Sequence, residues 1–282
     1  MIRRPPTAFR VAAHALLIAL AVVWLFPLAS VALVLIKDAT QFRALAYWTL
    51  PPLADVVPNI VENLRTAWTR ADIGRYFGNS VLYAAVAGIG SGLIASLAGY
   101  ALVHLRLRAP QSWFMLLFIG NLFPFQMFLI PLYIGLTTIN LYDTRVGLIL
   151  VYLGITLPFA LFVYRNYALT VPHELFEAAW IDGASPWGGF THIFLPITFP
   201  ALIVVFVFQF TWTWNDLLFG LVLSESARPV MTALSALTGL RGGVPPSTLI
   251  AGSLIAALPP AIVLLGLQRY FVRGFVIGIE KE

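Results

Sequence analysis

Six long, almost wholly apolar stretches dominate what this chain can fold into. They cover residues 11–36, 77–103, 113–135, 146–164, 198–222 and 249–268. About 20 apolar residues are enough for a helix to cross the hydrocarbon core of a bilayer. Backbone groups in lipid must also be hydrogen bonded within their own segment, which favours helices. The sequence therefore predicts an all-α membrane protein with six transmembrane helices.

Composition agrees with this class. The chain is 60% hydrophobic and only 10% charged, whereas a soluble surface needs about a quarter of charged residues. Its formal charge of +5 would suit nucleic acid in a soluble domain. Here the basic residues lie at the ends of the apolar stretches, where they orient the chain and contact anionic lipid. We expect membrane lipid as a partner and no nucleic acid.

Candidate catalytic and metal-binding residues do not cluster in the sequence. There are no cysteines, which excludes disulfides and thiol catalysis. Of the histidines, His14, His104, His173 and His192 are scattered, and each is interpreted as solvated or interfacial. No serine, histidine and acid set is recognisable. We predict no catalytic residue and no metal site.

The first apolar stretch follows Arg3, Arg4 and Arg10, as in a secretory signal peptide. Its 26 uncharged residues exceed the roughly 7 to 15 of a signal-peptide core. We expect a retained membrane anchor, with cleavage near Ala29 and Ser30 as the alternative.

Basic residues also bear on orientation. If the N-terminus is cytoplasmic, the inner segments carry nine basic residues and the outer segments eight. The inner residues include Arg106 and Arg108, which directly follow the second stretch, where the positive-inside bias acts. We predict that both termini are cytoplasmic.

The segment 170–197, between the fourth and fifth stretches, reads as a helix, a turn and a second helix. Thr170 is the predicted N-cap, with Pro172 and Glu174 in the first turn, where proline costs little and an acid meets the helix dipole. Gly183 suits the left-handed position that ends a helix at about Asp182.

Ser185 and Pro186 then predict the start of the second helix. On the first helix, Ala178 and Ala179 would let another surface approach closely. Phe176 and Trp180 form an aromatic pair on an adjacent face. By periodicity alone, this first helix would be an amphipathic helix on the membrane surface.

The same segment carries a specific pattern. It is Glu177-Ala178-Ala179, then Gly183, then Ile193, then Leu195-Pro196. This resembles the EAA signature of ATP-binding-cassette importer permeases. Further matching stretches are Phe77–Ser80, Ile130–Tyr133, Ile181–Ser185, Trp214–Asp216 and Gln268–Gly274. Together they are similar to the carbohydrate branch, specifically the maltose-type G permease, although the tail Gly278–Glu282 and the segment 37–75 depart from it.

The resemblance implies a coupling helix that docks on a cytoplasmic ATPase. The implied coupling residues are Glu177, Ala178, Ala179, Asp182, Gly183, Leu195 and Pro196. Its implied partners are a second, F-type permease, two ATP-binding cassette ATPases and an extracytoplasmic solute-binding protein. ATP and Mg would be bound by the ATPases, and no phosphate-binding loop ending in Gly-Lys-Ser or Gly-Lys-Thr occurs in this chain.

The implied function is uptake of a sugar or oligosaccharide by alternating access, in a bacterial or archaeal plasma membrane. Another polar solute, such as a polyol, glycerol phosphate, amino acid or peptide, is the alternative, followed by a self-contained secondary transporter. The expected organisation is a cytoplasmic start, an anchor, an external segment, a five-helix core and a cytoplasmic tail. Their ranges are 1–10, 11–36, 37–76, 77–271 and 272–282.

Within the second stretch, Ala84, Gly88, Gly92 and Ser96 form a small-residue stripe that we interpret as a helix-packing surface. Prolines also fall inside predicted spans, where each removes a backbone donor. They are Pro124, Pro131, Pro158, Pro259 and Pro260.

Polar residues at membrane depth usually face the bundle interior or a water-filled cavity. The candidate solute-pathway residues are Asn121, Gln126, Gln209, Trp212, Asn215 and Asp216. Trp212 and Trp214 could stack on a sugar ring, or belong to the interfacial aromatic belt. Asn215 and Asp216 could equally be boundary residues that meet water outside the membrane.

Overall fold

The computed structural model describes residues 7–44, 47–70, 72–238 and 244–276. Every regular element in these ranges is a helix, which confirms the all-α class. The tail Gly278–Glu282 lies outside the described residues. In chain order the helices are α1 (Thr7–Leu35), α2 (Ala39–Ala44), α3 (Leu53–Arg70), α4 (Ile73–His104), α5 (Pro110–Phe118), α6 (Leu129–Thr138), α7 (Arg145–Ala168), α8 (Glu174–Ile181), α9 (Pro186–Ile197), α10 (Phe199–Trp214), α11 (Leu218–Leu223), α12 (Val230–Thr238) and α13 (Pro246–Val276).

Four of these helices, α1, α4, α7 and α13, are long and apolar enough to cross a membrane. Two further helix pairs pass the same test but are bent. Pro110–Leu122 meets Phe125–Thr138 at 93°, and α9 meets α10 at 71°. By length and composition, the described part of the chain has four membrane-crossing helices, or up to six if each bent pair is one span.

The third predicted span, 113–135, is not one continuous helix. Two short 3₁₀ turns, Ile119–Leu122 and Phe125–Phe128, lie on either side of a break. At the break, Phe123 is extended, with φ −91° and ψ 136°, because the ring of Pro124 disfavours the helical conformation in the residue before it.

Pro158, Pro259 and Pro260 lie inside helices that continue past them. The fifth predicted span, 198–222, is also shorter than expected, because its helix ends at Trp214 and α11 follows as a separate turn.

The chain divides into two compact units, each with its own contacts. The first comprises residues 1–73 and 236–255. In it, the Asn63 amide donates to the carbonyls of Leu35 and Lys37, at 2.9 Å each, and accepts from the Ser247 hydroxyl at 3.0 Å. Asn63 is buried, so this one side chain satisfies backbone groups that the end of α1 leaves without helical partners.

The second unit comprises residues 74–235 and 256–282, and it contains the segment 170–197. The predicted small-residue stripe packs against α10. A Cβ atom on Gly88 would lie 2.8 Å from Phe206 Cδ2, and one on Gly92 would lie 2.7 Å from Leu202 Cδ1. Ala84 and Ser96 are buried on the same stripe, which confirms its interpretation as a helix-packing surface.

A carboxylate ties two loops of this unit together. Asp143 accepts hydrogen bonds from the backbone N–H groups of Glu225 and Ser226, both at 2.7 Å, and from the Ser226 hydroxyl at 2.9 Å. Burial raises the pKa of Asp143, but these donors and the Ala227 N–H together lower that pKa to about 2. The loop before α7 is thus held to the segment after α11.

Candidate functional site

Helix α8 begins later than the sequence predicted. Thr170 is not its N-cap, because its hydroxyl donates to the carbonyl of Tyr167 at 2.8 Å, on the last turn of α7. The helix starts at Glu174, so Pro172 lies before it. Glu174 and Glu177 occupy its first turn, where negative charge is favoured by the helix dipole.

The turn after α8 has the predicted geometry. Gly183 has φ +85°, the left-handed conformation that residues with a Cβ rarely adopt. The N–H of Ala184 donates to the Ala179 carbonyl at 2.8 Å, and the N–H of Gly183 donates to the Trp180 carbonyl at 3.1 Å. This pair of bonds is the Schellman motif, which satisfies carbonyls at a helix C-terminus.

The second helix also starts as predicted. Ser185 caps α9 by accepting from the N–H of Gly188 at 3.1 Å, and Pro186 takes the first helical position. These two caps fix the backbone conformation of the turn between α8 and α9.

Phe176 fixes α8 to the rest of the unit, because its ring is completely buried. It is surrounded by what we call the aromatic seat, formed by Tyr100 and His104 from the end of α4 and Phe190 and Phe194 from α9. The Phe176 ring centroid lies 4.2 Å from that of His104 and 5.5 Å from that of Tyr100. Tyr100 lies 5.6 Å from Phe190 and 5.2 Å from Phe194 by the same measure.

A hydrogen bond joins Tyr100 of the aromatic seat to the start of α9. The Tyr100 hydroxyl donates to the carbonyl of Pro186 at 3.0 Å. A Cβ on Gly189 would lie 2.7 Å from that hydroxyl oxygen, so the glycine makes room for the tyrosine. Sequence analysis missed Tyr100, and its interpretation of His104 as solvated or interfacial is wrong, because His104 is 2% exposed within the aromatic seat. The i, i+4 spacing of the two rings at the end of the second stretch could have indicated that they lie on one helix face.

The face of α8 opposite the aromatic seat is open. Ile181 is 86% exposed and Leu175 44% exposed, and Glu177, Ala178 and Asp182 are exposed beside them. An apolar surface bordered by acids on a short helix has the character of a docking site.

Leu195 and Pro196 lie elsewhere. Leu195 packs against the core cluster that contains the aromatic seat, and Pro196 is exposed near the bend between α9 and α10. Ala179 is half-buried. The seven predicted coupling residues therefore do not form one surface. The exposed face of α8 and its terminal turn hold most of them, and Leu195 and Pro196 lie separately at the end of α9.

A cavity of 460 Å³ lies in the same unit, beside the break at Pro124. It contains three of the six candidate solute-pathway residues, Asn121, Gln209 and Trp212. Asn215 and Asp216 line an adjoining recess of 560 Å³, which shares Trp212 with the cavity. Gln126 is exposed and is not among the residues that line either space.

The sequence analysis missed most of the cavity's aromatic wall. The additional aromatic lining residues are Phe123, Phe125, Phe128, Phe159 and Phe208. Phe123, Phe125 and Phe128 lie within four residues of Pro124 in the sequence. This clustering of aromatic residues at a helix-breaking proline could have indicated the cavity wall from the sequence.

Asp216 is neither free in a pore nor open to outside water. It is buried and accepts from the hydroxyl of Tyr152 at 2.9 Å and from the N–H of Gly220 at 3.1 Å. Its carboxylate therefore caps the start of α11. The boundary interpretation of Asp216 is wrong, because the chain folds back over it at α11. Asn215 is exposed, and its amide donates to the Thr211 carbonyl at 2.8 Å.

Trp214 does not serve either predicted role. Its ring is completely buried, its indole N–H donates to the Ala256 carbonyl at 2.8 Å, and it stacks on Phe210. It can neither stack on a sugar nor lie in an interfacial belt. Trp212 is half-buried at the cavity wall, so stacking on a sugar ring stays a prediction for this residue.

These features define a class: a helical protein with several membrane-crossing helices, a short helix with one exposed face, and a cavity whose described lining residues are uncharged. The chain belongs to the family described as binding-protein-dependent transport system inner membrane component, whose model matches residues 88–277. It is therefore a multi-pass inner-membrane subunit of a transporter.

Two relatives show the extent of the likeness. The chain is 32% identical to the osmoprotective compounds uptake permease protein GgtD of Synechocystis sp., over 95% of this chain and 91% of that protein. It is 37% identical to the alpha-glucoside transport system permease protein AglG of Rhizobium meliloti, over 78% of this chain and 60% of that protein.

A solved structure shares the fold. It is a chain of a bacterial ABC transporter involved in the import of the acidic polysaccharide alginate, with a TM-score of 0.74 and 20% sequence identity. The alignment covers 96% of this chain and 99% of that one.

Proposed function

We propose that this chain is one half of the translocation pathway of an ATP-driven sugar importer. A second, homologous permease of the F type forms the other half. Two ATP-binding cassette subunits bind ATP and Mg on the cytoplasmic side, and an extracytoplasmic binding protein delivers the solute outside. Both chain termini and the segment 170–197 lie in the cytoplasm.

The observation that carries the proposal is the exposed face of α8 on its aromatic seat. A helix of only eight residues is unstable alone in water, so it must be held by packing. Burial of Phe176 supplies that packing on one side. On the other side, Glu177, Ala178 and Asp182 are exposed, with the Glu177 carboxylate 3.9 Å from His173 Nε2, and this face docks in a cleft of an ATPase.

Force passes from the ATPase through α8 to the membrane helices. The two caps at Gly183 and Ser185 join α8 and α9 rigidly, and the aromatic seat connects both to α4. Leu195 and Pro196 lie where α9 turns into α10, so a movement of α8 reaches α10 through the same segment. Closing of the ATPase pair then changes the side on which the cavity is open, as alternating access requires.

The proposed solute is a carbohydrate. The relative AglG is named for alpha-glucoside transport, and Trp212 at the cavity wall offers an aromatic face of the kind on which sugar rings stack. The name of GgtD favours a second candidate, an osmoprotective compound. Uptake assays with radiolabelled disaccharides and radiolabelled small osmoprotective solutes, each with the cognate binding protein, distinguish the two.

Co-purification tests the coupling part of the proposal. The tagged chain is extracted from its native membrane as wild type, Glu177→Lys and Gly183→Val. The wild type should bring down an ATPase and a second permease, and both variants should lose the ATPase. The matched control is Glu62→Lys, a charge reversal at an exposed position on α3 that should retain every partner.

The opposite results are equally clear. If Glu177→Lys retains the ATPase as fully as Glu62→Lys does, α8 is not the docking helix. If the wild-type chain purifies alone and still moves solute in vesicles, it is a self-contained secondary transporter.

A further inference from the structure

The lining of the 460 Å³ cavity has a particular chemistry. None of its thirteen described lining residues carries a charge, and only Asn121, Thr156 and Gln209 have polar side chains. Most of the remaining wall is aromatic. Aromatic faces carry a negative quadrupole, so they attract C–H groups and cations and repel anions.

Gln209 is the polar group held most firmly in this wall. Its side chain is 4% exposed, and its Nε2 donates to the carbonyl of Thr156 at 3.0 Å. A carbonyl oxygen can only accept, so the amide nitrogen of Gln209 must face Thr156. The hydrogen bond therefore sets which end of the amide points away from α7.

The other end of that amide is an acceptor. Gln209 Oε1 accepts no hydrogen bond from any described residue, yet it is not among the buried atoms that lack a partner. It therefore remains accessible in the residue's lining position at the cavity wall. The Thr156 hydroxyl is already engaged, since it donates to the Tyr152 carbonyl at 2.7 Å.

We propose that Gln209 is a specificity-determining residue, whose fixed amide oxygen accepts a solute hydroxyl and rejects carboxylate or phosphate groups. The cavity then selects a neutral, polyhydroxylated solute over an acidic one. An anion would meet a partial negative charge at Gln209 and the negative faces of the aromatic rings, with no described cation in the lining to offset them. This inference rests on the proposed function, since it requires the cavity to lie on the solute pathway.

The test compares paired solutes in proteoliposomes that contain the complete complex and its binding protein. The probes are maltose, cellobiose and trehalose, each paired with the derivative in which one primary hydroxyl is oxidised to a carboxylate. For each pair, the ratio of neutral to acidic uptake is measured. The same binding protein serves every variant, so its own preference cancels when ratios are compared.

Two variants remove the acceptor in different ways. Gln209→Met keeps the length of the side chain and loses both polar atoms. Gln209→Lys keeps a donor for the Thr156 carbonyl and replaces the acceptor with a positive charge. Gln268→Met is the matched control, because it makes the same change at an exposed glutamine outside the cavity lining.

We expect Gln209→Met to lower neutral uptake about tenfold, which corresponds to the loss of about one hydrogen bond. Gln209→Lys should shift the ratio towards the acidic partner by about tenfold or more, a gain that misfolding cannot produce. Gln268→Met should leave both rates unchanged.

An unchanged ratio in both Gln209 variants, with assembly and ATP hydrolysis intact, would overturn the specificity role and leave the proposed function standing. Equal uptake of acidic and neutral partners by the wild type would also overturn it. Failure of the wild type to take up any of the sugars would overturn the proposed function, and this inference with it.

Discussion

At the scale of single residues, backbone conformation explains why Gly183 belongs to the pattern that identified the family. Its Cβ position is sterically open, with no atom within 4 Å, so space alone would allow a larger residue. The constraint is φ +85°, which costs an ordinary L-residue roughly 1–2 kcal/mol. Asparagine tolerates this conformation better than β-branched residues do.

We therefore predict that Gly183→Asn retains the ATPase in co-purification and that Gly183→Val loses it. Gly154→Val is the control, because that glycine also has no atom within 4 Å but does not have a positive φ. Equal retention by Gly183→Val and Gly183→Asn would show that the left-handed turn is not needed for docking.

Asp143 provides a residue-scale prediction about pH. An aspartate in an unfolded chain has a pKa of about 3.9, and in the folded protein the pKa of Asp143 is lowered to about 2. A lowered folded-state pKa stabilises the protein above pH about 4, and that contribution is lost as the pH falls towards about 2. Asp143→Asn should thus lower the melting temperature at pH 7, with a difference from wild type that shrinks below pH about 4.

Asp72→Asn is the matched control, since Asp72 shares the positive φ, 49° against 57° for Asp143, and is exposed. Thermal unfolding of the purified protein in detergent, from pH 7 to pH 3, provides the measurement. If the effect of Asp143→Asn were constant across this range, the ionised carboxylate would not be what holds the two loops.

At the scale of elements, the aromatic seat makes α4, α8 and α9 one mechanical part. Tyr100→Phe removes the bond to the Pro186 carbonyl and keeps the ring in place. Such a hydrogen bond contributes about 1 kcal/mol to stability. Its loss is too small to unfold the unit, but it weakens the contact between α4 and α9. We predict normal assembly with the ATPase and less solute moved per ATP hydrolysed.

Tyr164→Phe is the control for this variant. The Tyr164 hydroxyl is buried in the same cluster and has no hydrogen-bond partner among the described residues, so its removal should be neutral or slightly stabilising. The readout is the ratio of solute transported to ATP hydrolysed in proteoliposomes. An unaltered ratio in Tyr100→Phe would mean that the hydroxyl does not transmit movement.

At the scale of the whole molecule, the proposed topology can be tested directly because the chain has no cysteine. Single cysteines are introduced at two exposed positions, Glu225 and Ala178. A membrane-impermeant maleimide added outside intact cells should label Glu225→Cys. It should label Ala178→Cys only after the membrane is permeabilised, and the reverse pattern would invert the topology.

Much of this architecture follows from local rules. Runs of apolar residues require helices in lipid whatever surrounds them, and the caps at Gly183, Ser185 and Pro186 depend on neighbours within a few residues. The stripe at Gly88 and Gly92 was equally readable, because a row of small residues has few uses other than close packing. Because these effects depend on residues that are near in the sequence, they can be predicted without knowledge of the fold.

Packing between distant segments decided the rest. Asp216 and Trp214 became interior groups only because Tyr152 and Ala256 reach them from elsewhere in the chain. Which polar side chain faces a cavity, and which end of the Gln209 amide it presents, depends on such long-range partners, and no local pattern encodes them.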